Sequence, residues 1–303
     1  MAGHVLHTPV LRWYDESARE LPWRAPGRTP WGVLVSEVML QQTPVARVVP
    51  VWRDWLSRWP APADLAAAAP GDAVRAWGRL GYPRRALRLH EAAGQITDRH
   101  HGRVPSAYDD LLALAGVGTY TAAAVASFAF GARHAVVDTN VRRVLARAVG
   151  AAPLPAPVLT RAENERAQAL VPDDPAVAAR WAVAVMELGA LVCTARAPRC
   201  AVCPVLGLCA WQRAGAPAYD GPARRGQAWH GTDRQVRGLM LAVARGATGP
   251  VSRAELDSAA PAADTAQRGR ALASLLDDGL LSQDADGRLA LPGLTSGAPS
   301  CAR

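Results

Sequence analysis

The chain has 303 residues, half of them hydrophobic, enough for two compact domains or for one larger domain with an appendage. Its net charge of +8 and pI near 9.9 favour a polyanionic partner, and all 34 of its basic residues are arginine, with no lysine. No membrane partner and no secreted disulfide framework are expected: there is no run of about twenty apolar residues, residues 1–11 carry no long signal-type apolar segment, and four of the five cysteines are clustered.

The apolar spacing, punctuated by Pro and Gly at the junctions, predicts helices over residues 10–20, 31–42, 45–59, 62–68, 72–77, 83–100, 106–114, 119–130, 140–149, 159–170 and 175–191. Pro22, Pro26 and Pro30 make the stretch before the second helix a loop. No strand is expected before residue 230. Residues 214–231 are rich in Gly, Ala, Pro and Arg and read as a linker. Beyond it come amphipathic helices over 234–245 and 266–277, a short helix over 252–257, and a hairpin of 279–281 with 288–291 around Asp286-Gly287. That layout is winged-helix-like, and a packing role suits it as well as a DNA contact.

Several segments carry chemistry. Glu37 lies among apolar residues of a helix; burial would raise its pKa and suit it to act as a general acid, whereas a simple arginine pair is the plainer use. Gly116-Val117-Gly118 joins two helices. Glycines there let the backbone approach a phosphate, and the amides of the next helix point at the anion; a plain helix turn is the alternative. Asp138 follows an apolar run and precedes a helix, where an N-cap is its commonest use. The cysteines stand as Cys193-x6-Cys200-x2-Cys203-x5-Cys209, stiffened by Pro198 and Pro204. Four thiolates suit an iron–sulfur cluster, with structural zinc or reduced core thiols as the other readings. The fifth cysteine, Cys301, falls in a Gly/Ser/Pro tail.

Taken together, these residues resemble the endonuclease III superfamily of DNA glycosylases over about residues 10–212. Within it, Glu37 with Gln41-Gln42, Tyr82, Tyr120 and Glu187 resemble the adenine glycosylases of the MutY family. The resemblance implies a mainly α, helix–hairpin–helix fold. It implies a six-helix barrel domain over 24–132, an iron–sulfur domain from 1–23 and 133–213, a linker over 214–232, a winged-helix-like region over 233–293 and a disordered tail over 294–303. It also implies a [4Fe–4S] cluster on Cys193, Cys200, Cys203 and Cys209. The activity implied is excision of adenine opposite 8-oxoguanine or guanine in double-stranded DNA, by a monomer in the bacterial cytoplasm at the nucleoid. Glu37 and Asp138 are the implied catalytic carboxylates, supported by Tyr120 and Asn140. Arg24 and Glu187 would line the base pocket. Gln41, Gln42, Tyr82, Gly116, Val117 and Gly118 would engage DNA. Residues 1–213 alone are expected to retain excision, since every one of these residues lies there. Arg196 and Arg199, in the cluster loop, are read as phosphate contacts or as a solvated face. The alternatives are an endonuclease III-like glycosylase, a mismatch thymine glycosylase, or a non-catalytic iron–sulfur protein that binds DNA. The chain departs from the resemblance at its C-terminal part, where the Nudix-like domain of most members is not recognisable.

Overall fold

The computed structural model describes residues 4–221 and 229–294. Much of the expected linker, most of the expected tail and Cys301 fall outside the described residues. The helices are α1 (His7–Ser17), α2 (Pro30–Leu40), α3 (Val45–Arg58), α4 (Pro62–Ala67), α5 (Pro70–Trp77), α6 (Arg84–Arg99), α7 (Tyr108–Leu112) and α8 (Thr119–Phe130). After them come α9 (Thr139–Ala148), α10 (Arg161–Ala169), α11 (Pro175–Leu191), α12 (Ala210–Arg213), α13 (Asp233–Gly246), α14 (Arg253–Ser258) and α15 (Thr265–Asp277). Their boundaries follow local chemistry. Asp174 accepts the Val177 N–H (2.9 Å) ahead of Pro175, and Thr160 and Glu163 form a reciprocal capping box. Gly131 ends α8 in the left-handed region. The proline-rich stretch before α2 is not all loop: Pro22–Arg24 makes one 3-10 turn. No described helix is long and apolar enough to cross a membrane.

The chain divides into two compact units, each built from separated segments. The first comprises Met1–Glu37, Pro105–Ala113 and Val117–Ala223. In it, α1, α9, α10 and α11 bury Val10, Val144, Leu145, Leu170, Trp181 and Leu188 in one core. His7 sits edge-on to Trp181, 4.7 Å between ring centroids, and its Nε2 meets the Leu170 carbonyl at 2.9 Å.

The second unit comprises Val38–Val104, Leu114–Gly116 and Arg224–Arg303. Three indoles mark its core: Trp55 meets Trp59 at 4.8 Å and Trp77 at 5.8 Å, both edge-on. The C-terminal helices α13, α14 and α15 precede a short antiparallel hairpin, β1 (Ser282–Gln283) with β2 (Leu289–Ala290). The helix–helix–helix–hairpin order is the expected one, but the first strand lies further along than 279–281. Gly279, at φ 66°, ends α15, and the amides of Leu280 and Leu281 turn back onto the Leu275 carbonyl. Both leucines are thus buried as the close of a helix. The turn is organised by Asp284, whose carboxylate accepts the N–H groups of Asp286 and Arg288.

This C-terminal module is packed closely onto α5. The Gly71 N–H donates to the Pro292 carbonyl at 2.7 Å, and a Cβ at Gly71 would stand 2.7 Å from that oxygen and 2.8 Å from the Leu291 Cβ. Gly71→Ala should therefore destabilise the protein by about 1–3 kcal/mol in denaturant melts. At an open helical position the same change would stabilise by up to about 1 kcal/mol, so a neutral or stabilising result would contradict the docking.

Candidate functional site

Glu37 occupies the apolar stretch of α2, with Val35, Val38 and Met39 buried beside it, and is itself only 5% exposed. The Tyr120 hydroxyl, at the start of α8, donates to Glu37 Oε2 at 2.9 Å. Burial pushes the Glu37 carboxyl up to about 7, against the opposing pull of the Tyr120 hydrogen bond and the Arg24 charge. Burial and the neighbouring carboxylates hold the Tyr120 phenol well above its usual value, so it remains a donor. Asp138 is the N-cap of α9, as its sequence context suggested. Its Oδ1 accepts the Val141 N–H and its Oδ2 accepts the Asn140 side-chain amide, each at 2.7 Å. Burial raises its pKa too, opposed by those donors and by Arg143. Two carboxyls, the buried Glu37 fed by a phenol and the partly buried Asp138 saturated by a cap, therefore sit in one unit with different environments.

Arg143 continues the second set of bonds. Its guanidinium donates to Asn140 Oδ1 (2.7 Å), to the Gly189 carbonyl (2.6 Å) and to the Cys193 carbonyl (2.6 Å). Gly189 is required at this crossing, because a Cβ there would stand 2.7 Å from the Asn140 Cβ. Glu187, on the same helix, is wholly buried. Arg19 donates to it through its backbone N–H, Nε and Nη2, and Arg24 through Nη2 at 3.0 Å. Burial pushes Glu187 upward, but the Arg19 hydrogen bonds and the Arg24 charge outweigh it and leave the carboxyl below its ordinary value. Glu187 is thus an ionised anchor that fixes Arg24, whose charge is felt at Glu37. Arg19 was not singled out by sequence; its partner lies 168 residues away.

The second unit holds two exposed loop residues in the left-handed region, Gln42 (φ 56°) and Tyr82 (φ 47°). Such a conformation in a non-glycine residue is sparsely populated and is maintained by surrounding contacts. Those contacts tie the two loops together. Thr43 Oγ1 donates to the Leu80 carbonyl at 3.2 Å, and Trp77 Nε1 to the Gly81 carbonyl at 2.9 Å. Arg85 donates to the Gln41 carbonyl while its guanidinium lies 4.6 Å from the Tyr82 ring centroid. In the same unit Gly116 (φ 75°) lies against Arg88, where a Cβ would come within 2.7 Å of the Arg88 Cβ. Gln95 accepts the Ala115 N–H at 2.8 Å, a further support for the hairpin that sequence did not point to. Val117 is buried, and Gly118 is the N-cap of α8.

The four cysteines lie around one pocket with Val144, Ala148, Leu188, Val192 and Val205. Arg147, buried on α9, donates to Cys193 Sγ at 3.3 Å and to the carbonyls of Thr194 and Ala195, and Gln212 donates to Cys200 Sγ at 3.1 Å. Burial pushes the Cys203 thiol up to about 11, so iron ligation must displace a proton there. Among the described residues no group of three or more His, Cys, Asp or Glu is placed to hold a single metal ion. Thiols spread around an apolar pocket, with donors already aimed at two sulfurs, suit a cluster that spends one thiolate per iron. Arg199 closes the loop on itself by donating to the Leu191 carbonyl at 2.8 Å; Arg196 is exposed.

Residues 35–169 match the HhH-GPD superfamily base excision DNA repair protein family, and residues 193–209 match the iron–sulfur binding domain of endonuclease III. The chain is 57% identical over 291 residues to an adenine DNA glycosylase of Mycobacterium tuberculosis (strain CDC 1551 / Oshkosh), spanning 96% of this chain and 94% of that one. The chain belongs to the adenine DNA glycosylase family. Its fold also resembles a thermostable thymine-DNA glycosylase (TM-score 0.62, 28% identity, 69% of this chain and 96% of that chain). Endonuclease III in a non-covalent complex with DNA is similar as well (TM-score 0.59, 25% identity, 69% and 94%). As an adenine DNA glycosylase of base excision repair, the chain has a helix–hairpin–helix fold and a [4Fe–4S] cofactor in its C-terminal cysteine loop. Cys193, Cys200, Cys203 and Cys209 are the residues that would hold it.

Proposed function

We propose that this adenine DNA glycosylase acts on adenine opposite 8-oxoguanine or guanine and cleaves the N-glycosidic bond without cutting the strand. The observation that carries the mechanism is the buried Glu37 carboxyl, raised to about 7, hydrogen-bonded to Tyr120 and within electrostatic reach of Asp138. Adenine leaves readily only once protonated, and a carboxyl with that value can hold and donate a proton near neutral pH. Glu37 protonates adenine N7. Asp138, held by Val141 and Asn140, stabilises the oxocarbenium-like sugar, a division of labour between two carboxyls that is general in glycoside chemistry. Tyr120 keeps Glu37 in place, and Asn140 holds Asp138.

Adenine in a duplex must be flipped out at a cost of about a few kcal/mol. Gln42, with its neighbour Gln41, fills the vacated stack and Tyr82 wedges beside the opposite base. Their fixed, exposed, left-handed positions support that reading. Gly116, Val117 and Gly118 grip a backbone phosphate. The [4Fe–4S] cluster supplies a rigid fold to its loop, and the base-releasing step belongs to the carboxyls. Glu187 and Arg24 act behind the pocket, as an ion pair that sets the field at Glu37.

The deciding assay presents duplexes with adenine opposite each base and measures released adenine. Release opposite 8-oxoguanine and guanine, well above release opposite thymine, is expected; equal release against every base would remove the mispair assignment. The product strand should remain intact until alkali or heat is applied. Strand cutting begins with an amine that forms a Schiff base, and the sequence contains no lysine to supply one. Efficient borohydride trapping of a covalent complex by a nuclease-free preparation would overturn the monofunctional reading.

A further inference from the structure

The C-terminal module grips both helices that flank the Tyr82 loop. On the α5 side, Arg75 donates to the carbonyls of Arg245 and Ala247, each at 3.1 Å, and Arg245 returns a bond from Nε to the Val74 carbonyl at 2.9 Å. Arg245 is largely buried, and burial lowers its pKa to about 10; a guanidinium committed there fixes the end of α13 against the last turns of α5. On the α6 side, Arg84 is the first residue of the helix and stands two positions after Tyr82. It pairs at 3.1 Å with Asp278, just beyond α15. Asp278 also takes Arg237 of α13 at 2.6 Å, and Arg237 donates in addition to Ser274. Asp278 is 18% exposed; one of its oxygens is held by Arg237 from within the module and the other by Arg84 from α6. Between these two grips lies the strained loop of Gly81 and Tyr82. The expectation that residues 1–213 suffice for excision does not reckon with these contacts, which a truncation would strip from α5 and α6.

We propose that Asp278 is a positioning residue through which the C-terminal module holds the Tyr82 loop in the shape that engages DNA. The module then serves the reaction by bracing a wedge made elsewhere in the chain. Several of its arginines are engaged within the module: Arg268 donates to the Ala260 and Ala263 carbonyls, and the exposed Arg270 pairs with Asp233. This inference rests on the reading of Tyr82 as the residue that wedges into the duplex.

A double-mutant cycle in the full-length protein tests it. Asp278→Asn should weaken binding to an adenine–8-oxoguanine duplex and slow single-turnover release by roughly 3- to 10-fold, the scale of coupling across a partly buried ion pair. Arg84→Gln, which breaks the pair from its exposed partner, should do the same and guards against misfolding of the first variant. Asp278→Glu should restore most of the loss. In a Tyr82→Ala background both changes should cost almost nothing further, because the residue they position is gone. Losses that add fully to that of Tyr82→Ala would mean that Asp278 acts by another route and would overturn the proposal. So would an impaired Tyr82→Ala beside a wild-type Asp278→Asn and Arg84→Gln. A fully active Tyr82→Ala would instead remove the wedge reading, and the positioning role with it. Thermal melts of each variant show whether lost stability, as opposed to lost positioning, tracks the activity.

Discussion

Glu37→Gln is expected to bind an adenine mismatch while releasing adenine roughly 10²- to 10⁴-fold more slowly in single turnover, the range that a positioned proton donor supplies. The amide keeps the shape and can still accept the Tyr120 hydroxyl, so lost binding is not the cause. The pH dependence follows from the same environment. Glu37 rises from 4.5 to about 7 on folding, so the protonated, active form dominates below about pH 7. The rate should fall about tenfold per pH unit above that value. Stability shares the sign: a carboxyl that holds its proton more tightly when folded contributes fully below about 4.5, and that contribution is lost as pH rises through about 7. Tyr120→Phe removes a bond that favours the carboxylate, so its alkaline limb should move upward. Near wild-type release by Glu37→Gln, or an alkaline limb that Tyr120→Phe leaves in place, would show that another group delivers the proton.

Cys200→Ser should cost the protein its brown colour and its iron, about four atoms per chain in the wild type. The loss extends to the fold. The pocket walls are Val144 and Ala148 of α9 and Leu188 of α11, the helices that also carry Asn140 and Glu187. Emptying the pocket exposes that apolar surface and takes from Gln212 the Cys200 sulfur to which it donates, so aggregation or a several-degree fall in melting temperature is expected. Stoichiometric zinc without iron, after anaerobic purification, would contradict the cluster assignment.

The parts of the site that were legible in the sequence are those whose chemistry is local. Asp138 is readable because a cap needs only its own helix, and Glu37 because an acidic residue in an apolar helix stands out. The cysteines declare themselves by spacing. Arg19, Arg143 and Arg147 could not be read in this way. In a chain with 34 arginines each looks like any other, and its role is set by a carboxylate, carbonyl or thiol supplied from another helix. The hairpin shows the same limit. Leu280 and Leu281 have the composition of a strand, but the bonds from their amides to Leu275 make them the close of α15. Glu187, expected to line the base pocket, pairs with two guanidiniums, one of which, on Arg19, carries no local signal.

The interleaving of the two units sets an order on how the chain can be finished. Glu187 meets Arg19, and Pro292 meets Gly71, so each unit is closed by contacts between residues far apart in sequence. As the chain emerges from the ribosome, α1 must wait for α11, and α5 must wait until β2 has been made. Long-range closures of this kind slow folding and leave apolar surface uncovered in the interval. The face of α5 that Leu291 and Pro292 cover at Gly71 is therefore open until the last described residues have been made.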